Sequence, residues 1–323
     1  MTAKRGTFRH AVHHVRQASP DGRLIFYTFE DYLVFFTVYC TLAERMGIRV
    51  LALCPMPEHV HQLVVAPDTI RLARFEQQYA HLFARLWNGS RQRKGRLFLH
   101  PYRSAAKPGP LPVRTALAYH YNHPVERHLA ERAEEYRWNF LAYGLRRLPF
   151  SEPRPPSRSL QRALREIRGC REKGQYLNYR QLQRLTRPLE KAELQQFIDR
   201  AVELWNVVDY AAAGAYYGGI PPMLRAFHTD SGGEYELREP REPGSDAVYA
   251  DCGRILLKER KIASLYEIPN LDGARKEELR RLLLLRTAAP DRQLRKFLHL
   301  PSQRHQRLGV SQTLSAVQRT CSD

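Results

Sequence analysis

The sequence predicts an α+β fold: a small sandwich of one sheet covered by helices over about 150 residues, then a mostly helical, basic region. Three observations carry this. Short strand-like and helix-like patterns alternate through the first part of the chain, four prolines crowd into residues 149–158, and helical spacing dominates afterwards.

Taken in order, residues 11–15 and 24–28 read as strands around a Ser19-Pro20-Asp21-Gly22 turn. Residues 32–46 read as a helix that Asp31 can cap, with Leu33, Phe36, Val38, Leu42 and Met46 as its apolar face and Gly47 closing it. Strands over 49–54 and 59–66 follow, separated by Pro55-Met56-Pro57. A second helix covers 70–87, a basic loop comes next, and a third helical segment covers 115–121. The prolines of 149–158 forbid a helix interior and read as an extended linker, dividing the chain into 1–148 and 159–323. Beyond it, 160–171, 179–185 and 190–206 are helical, and the Gly- and Pro-rich 214–244 reads as irregular. Residues 275–286 form an amphipathic helix. The stretch 291–308 has the form of a helix-turn-helix, its second helix presenting Gln303, Arg304, Gln306 and Arg307, or else of an ordinary surface helix pair.

The chain has 323 residues with 52 Lys and Arg against 33 Asp and Glu, a formal charge of +19. The excess is +11 up to residue 149 and +8 beyond, so it is not one detachable tail. That balance is expected of a protein that neutralises phosphates. The five cysteines are scattered without CxxC spacing, which points to a reducing compartment and away from a disulfide framework or cysteine zinc site. Apolar runs are too short for a signal peptide or a membrane span, so a cytosolic protein at the nucleoid with no membrane partner is expected.

Two motifs bear chemistry. In Met56-Pro-Glu-His-Val-His-Gln-Leu-Val-Val65, His59 and His61 stand two apart, so a strand puts both imidazoles on one face. Such a pair supplies part of a metal shell, although hydrogen-bonded histidines give the same pattern. In Ala118-Tyr-His-Tyr-Asn-His-Pro-Val125, Tyr119 and His123 share a helix face. A phenol there can attack a phosphodiester and His123 can complete the ligands, although Pro124 biases His123 away from helical dihedrals and helix-packing tyrosines look the same. Between the motifs, Arg91, Arg93, Lys94, Arg96, Arg103 and Lys107 interleave with Phe98 and Tyr102, a composition suited to single strands. Trp138 and Tyr143 read as core residues.

"MPEHVHQLVV" resembles the histidine–hydrophobic–histidine motif of the HUH superfamily of single-strand nucleases. "AYHYNHPVERHLAERAEEYRWNFLAY" resembles the tyrosine helix of its single-tyrosine transposases, in the REP-associated branch. "HHVRQASPDGRLIFYTFEDYLVFF" and "GRLFLHPYRS" add to the resemblance, which spans residues 8–143. It implies a ferredoxin-like nuclease domain with a central antiparallel sheet, often dimeric. It also implies a divalent ion (Mg or Mn) on His59 and His61, and Tyr119 forming a 5′-phosphotyrosine link to hairpin-forming single-stranded DNA. His123 stands where the family usually has Asn or Gln as third ligand, Glu58 replaces a frequent Asn, and Tyr121 is an alternative nucleophile. Arg304 and Arg307 would add contacts to DNA. The expected function is a transposase-like endonuclease and strand transferase; the alternative is a domesticated DNA-binding protein that no longer cleaves.

Overall fold

A computed structural model describes residues 11–99, 101–229 and 245–301. The first part runs β1 (Val12–Ala18), α1 (Phe29–Met46), β2 (Arg49–Met56), β3 (His59–Val65), α2 (Thr69–Ser90), β4 (Arg103–Lys107) and α3 (Pro110–Glu126). The four strands pair antiparallel in the order β2-β3-β1-β4. That order, with one helix in each split crossover, is the ferredoxin-like β-α-β-β-α-β arrangement.

Register decides which side chains reach the site. Val15, Val60 and Val64 point into one core with α1 and α2. The pairs Arg16↔His61, His14↔Leu63 and Ala18↔His59 point to the opposite face, where α3 packs through Val113, Ala116, Leu117 and Tyr121. A period of two separates the two sets, so a one-residue slip would bury the histidines against α1. A buried polar knot opposes such a slip. Tyr39 Oη donates to Gln62 Oε1 at 2.6 Å, Gln62 Nε2 donates to Glu76 Oε2 at 3.0 Å, and Tyr79 Oη donates to Glu76 at 2.8 Å. Gln62 sits between His61 and Leu63, and its satisfied bonds pin β3 from behind.

Several expected elements differ. Residues 24–28 do not pair as a strand; the N–H groups of Ile25 and Phe26 both donate to the Pro57 carbonyl, at 2.7 and 3.1 Å, which ties the segment to the β2–β3 turn. The fourth strand is β4, within what reads as a basic loop. Helix α1 starts at Phe29, and Asp31 serves it from inside the first turn by accepting the Tyr27 and Thr28 N–H groups at 2.9 and 3.1 Å. Helix α3 begins at Pro110, behind Gly109 with φ 84°, and continues through Pro124. Because Pro124 lies in the last turn, it removes few helical bonds, and Arg127 N still reaches the His123 carbonyl at 3.1 Å.

The remaining helices are α4 (Arg158–Glu172), α5 (Tyr179–Thr186), α6 (Lys191–Trp205), α7 (Tyr210–Ala215), α8 (Ile220–Thr229), α9 (Val248–Lys258), α10 (Gly273–Arg286) and α11 (Asp291–Leu298). The prolyl stretch has turns at 149–150 and no helix or strand up to α4, and the helices after it enter the same core as α1: Leu160, Ile167, Leu182, Phe197 and Trp205 join Phe36 and Tyr39. Helix α8 lies within the stretch read as irregular and α7 ends at its start; Ala213, Met223 and Phe227 from these two helices join the core of α3. At the β2 edge, Val208 bridges Val50, and Asp209 N donates to the Val50 carbonyl at 2.8 Å. Helices α9–α11 gather a smaller core around Leu24, with Leu256, Leu279, Leu283, Leu294 and Phe297. Of the expected helix-turn-helix, the first helix is α11; the second, with Gln303, Arg304, Gln306 and Arg307, lies outside the described residues. Among the described residues no helix is long and apolar enough to cross a membrane.

Candidate metal centre

Strand β3 delivers His59 and His61 to the α3 face of the sheet, and α3 lays His123 and Tyr119 over them. The Nε2 atoms of His59 and His61 are 3.0 Å apart, and those of His59 and His123 are 3.2 Å apart. A neutral imidazole nitrogen carries either one proton or one in-plane lone pair, so His59 Nε2 can satisfy only one of these two contacts. The other contact is then not a well-aligned hydrogen bond. A shared cation removes the conflict: nitrogens about 2.1 Å from one ion and roughly 90–110° apart stand about 3.0–3.4 Å from each other. The spacing therefore fits a metal held by His59, His61 and His123.

His61 is fully buried, whereas His59, His123 and Tyr119 keep 3, 6 and 7% of their surface exposed, so the cluster opens on their side. The Tyr119 ring lies 5.1 Å from that of His123 and 5.4 Å from that of His61, one helical turn from the third donor. Tyr121, the alternative nucleophile, points away. Its ring is buried against Phe227, its hydroxyl donates to the Leu51 carbonyl at 3.3 Å, and burial raises its pKa well above the usual phenol value.

Sequence reasoning missed two further histidines. His14 on β1 places Nε2 3.0 Å from His61 Nδ1, and His120 on α3 holds its ring 4.4 Å from that of His14, tilted by 58°. His120 Nδ1 donates to the Ala116 carbonyl at 2.6 Å, so its Nε2 carries the lone pair. It also missed Arg16, half-buried and directly across from both His61 and the exposed Arg103. The signal was the alternation His14, Arg16 along β1, hidden because the strand was expected to stop at residue 15.

The expected DNA-binding residues divide. Lys94, Arg96 and Arg103 are exposed. Arg93 is half-buried and donates to Asn88 Oδ1 at 3.0 Å, and Lys107 is buried on β4. Arg91 is spent inside the protein: its Nη2 donates to both Asp31 oxygens at 2.7 and 2.9 Å, between the rings of Trp87 and Tyr266. Phe98 is buried, and Tyr102 is half-buried beside a cleft of about 810 Å³ that Glu76, His81, Arg85 and Arg96 also line. Trp138 stacks on Tyr32 at 4.4 Å, and Tyr143 donates to Asp199 at 2.8 Å, both at the edge of the main core.

No protein-family model matches the chain, and none of the curated proteins does. Two solved chains match. One is described as the structure of a REP-associated tyrosine transposase bound to a REP hairpin. It is 14% identical with a TM-score of 0.37, and the match covers 49% of this chain and 95% of that one. The likeness is distant.

Proposed function

We propose that the chain is a metal-dependent single-stranded DNA endonuclease and strand transferase of the HUH type, with Tyr119 as nucleophile. The observation that carries it is the convergence of the three Nε2 atoms of His59, His61 and His123 beside the Tyr119 ring. A bound ion would polarise a phosphoryl oxygen and offset the charge that develops there. Tyr119 Oη attacks phosphorus, the bond to the 3′ oxygen breaks, and that oxygen takes up the proton the phenol gives up. The products are a 5′-phosphotyrosine and a free 3′-hydroxyl, and attack by another 3′-hydroxyl on the link rejoins the strand. Arg16 and Arg103, paired across β1 and β4 on the same face as His61, neutralise the flanking phosphates.

The test is incubation of the metal-loaded protein with a labelled library of hairpin-bearing single strands. The wild type should form a covalent adduct that survives denaturing electrophoresis, and Tyr119→Phe should form none. An adduct in Tyr119→Phe would move the nucleophile elsewhere. Tight binding without any adduct would favour the domesticated DNA-binding alternative, and equal binding of matched RNA hairpins would count against DNA as the substrate.

A further inference from the structure

Within the metal-dependent reading above, the donors specify the ion. We propose that the centre selects a late first-row divalent ion of the zinc and cobalt class over magnesium, and that His14 is the positioning residue that keeps His61 able to bind it.

The first argument is the donor set. Among the described residues, the His, Cys, Asp and Glu atoms that converge here are imidazole nitrogens, on His59, His61 and His123. Magnesium takes oxygen donors in near-octahedral geometry and gives up water reluctantly, whereas imidazole suits zinc and its neighbours. Three histidines with one side open is also the arrangement of a catalytic zinc site, which keeps a position for water or substrate.

The second argument is the outward face of each ring. An Nε2 lone pair directed at an ion leaves the ring proton on Nδ1, which then needs an acceptor. His61 Nδ1 meets His14 Nε2 at hydrogen-bond distance, 3.0 Å, whereas Glu58 Oε1 stands 3.9 Å from His59 Nδ1 and Glu126 Oε2 3.8 Å from His123 Nδ1, close enough for charge but not for a hydrogen bond. A hydrogen-bonded partner behind a ligating histidine raises its basicity and fixes its orientation. The His14 contact is the shortest of the three and decides a tautomer. If His14 Nε2 accepts, His61 carries its proton on Nδ1 and its Nε2 can ligate. If His14 Nε2 donates instead, His61 Nε2 is protonated and leaves the shell. The acceptor role requires only a correctly placed lone pair, which a Gln side-chain oxygen can also supply.

The experiment uses the full chain, stripped by a chelator and then titrated with zinc, cobalt, manganese and magnesium in competition with a chromophoric chelator. Zinc and cobalt should bind at least ~100-fold more tightly than magnesium, and bound cobalt should show the visible absorption of a nitrogen-ligated ion. His14→Ala should weaken zinc binding about 10–100-fold with unchanged far-UV circular dichroism, and His14→Gln should recover most of it. Magnesium binding as tight as zinc in the wild type would overturn the selectivity, whatever the variants do. Unchanged zinc affinity in His14→Ala would overturn the role of His14. A wild type that binds no ion would overturn the metal-dependent reading as well. Tight zinc binding with no Tyr119 adduct would remove the nuclease reading and leave this inference standing.

Discussion

Tyr119 and Tyr121 are neighbours but one on α3, and their surroundings assign them different work. Tyr121→Phe should still form the DNA adduct, because the hydroxyl it loses faces the Leu51 carbonyl and not the histidines. The arginines divide in the same way. Arg91→Ala strands Asp31 in the core without its cation and should cost about 3–5 kcal/mol of stability, read from urea unfolding. Arg103→Ala should leave stability within about 0.5 kcal/mol and lower the salt slope of single-strand binding by about 0.7. These fates were only partly legible in the sequence. The HxH pair and the Tyr119/His123 spacing express strand and helix periods, so they could be read directly. Arg91 and Arg103 are alike in sequence, and only tertiary packing separates the buried one from the exposed one. His14 and His120 carry no local motif; they meet because β1 lies beside β3 under α3.

At the scale of elements, α1, α2, β2 and β3 were legible because long periodic runs ended at good caps. Residues 24–28 have strand composition but are held by the Pro57 carbonyl, a tertiary bond that no local pattern announces. Strand β4, by contrast, is short and basic, and its place in the sheet comes from pairing with β1. Element contacts also make tight fits. A Cβ on Gly144 would lie 2.6 Å from the Tyr210 ring, whose hydroxyl donates to the Phe140 carbonyl at 2.7 Å. Gly144→Ala should therefore lower stability by about 1–3 kcal/mol, visible as a shifted urea midpoint. At the end of α11, His299 is buried with Nε2 donating to the Leu24 carbonyl at 2.8 Å, and burial lowers its pKa to about 3. Its folded pKa lies below the unfolded 6.5, so the contribution is complete above 6.5 and is lost as pH falls toward 3. Unfolding midpoints should drop on acidification at up to about 1.4 kcal/mol per pH unit in that window. The drop should be smaller in His299→Asn, which tolerates the left-handed φ of 58° found there.

For the whole molecule, the charge of +19 points to a polyanionic partner, and the prolines suggest a boundary that the packing does not respect. A fragment of residues 1–150 would expose the face of α1 that α4–α6 bury, and it should be protease-sensitive and aggregate where the full chain does not. The links between the two ends have a further consequence, for the order of events during synthesis. Leu24 N donates to the Lys296 carbonyl, Tyr27 Oη donates to the Phe297 carbonyl, and Lys296 Nζ lies 3.5 Å from Glu58 Oε1, next to His59 in the chain. A chain leaving the ribosome N-terminus first can pair its strands early, but it cannot close these contacts until α11 has emerged. The turn that carries Glu58 and His59 is held first by Ser19, Ile25 and Phe26, and gains its Lys296 contact only after α11 has been made.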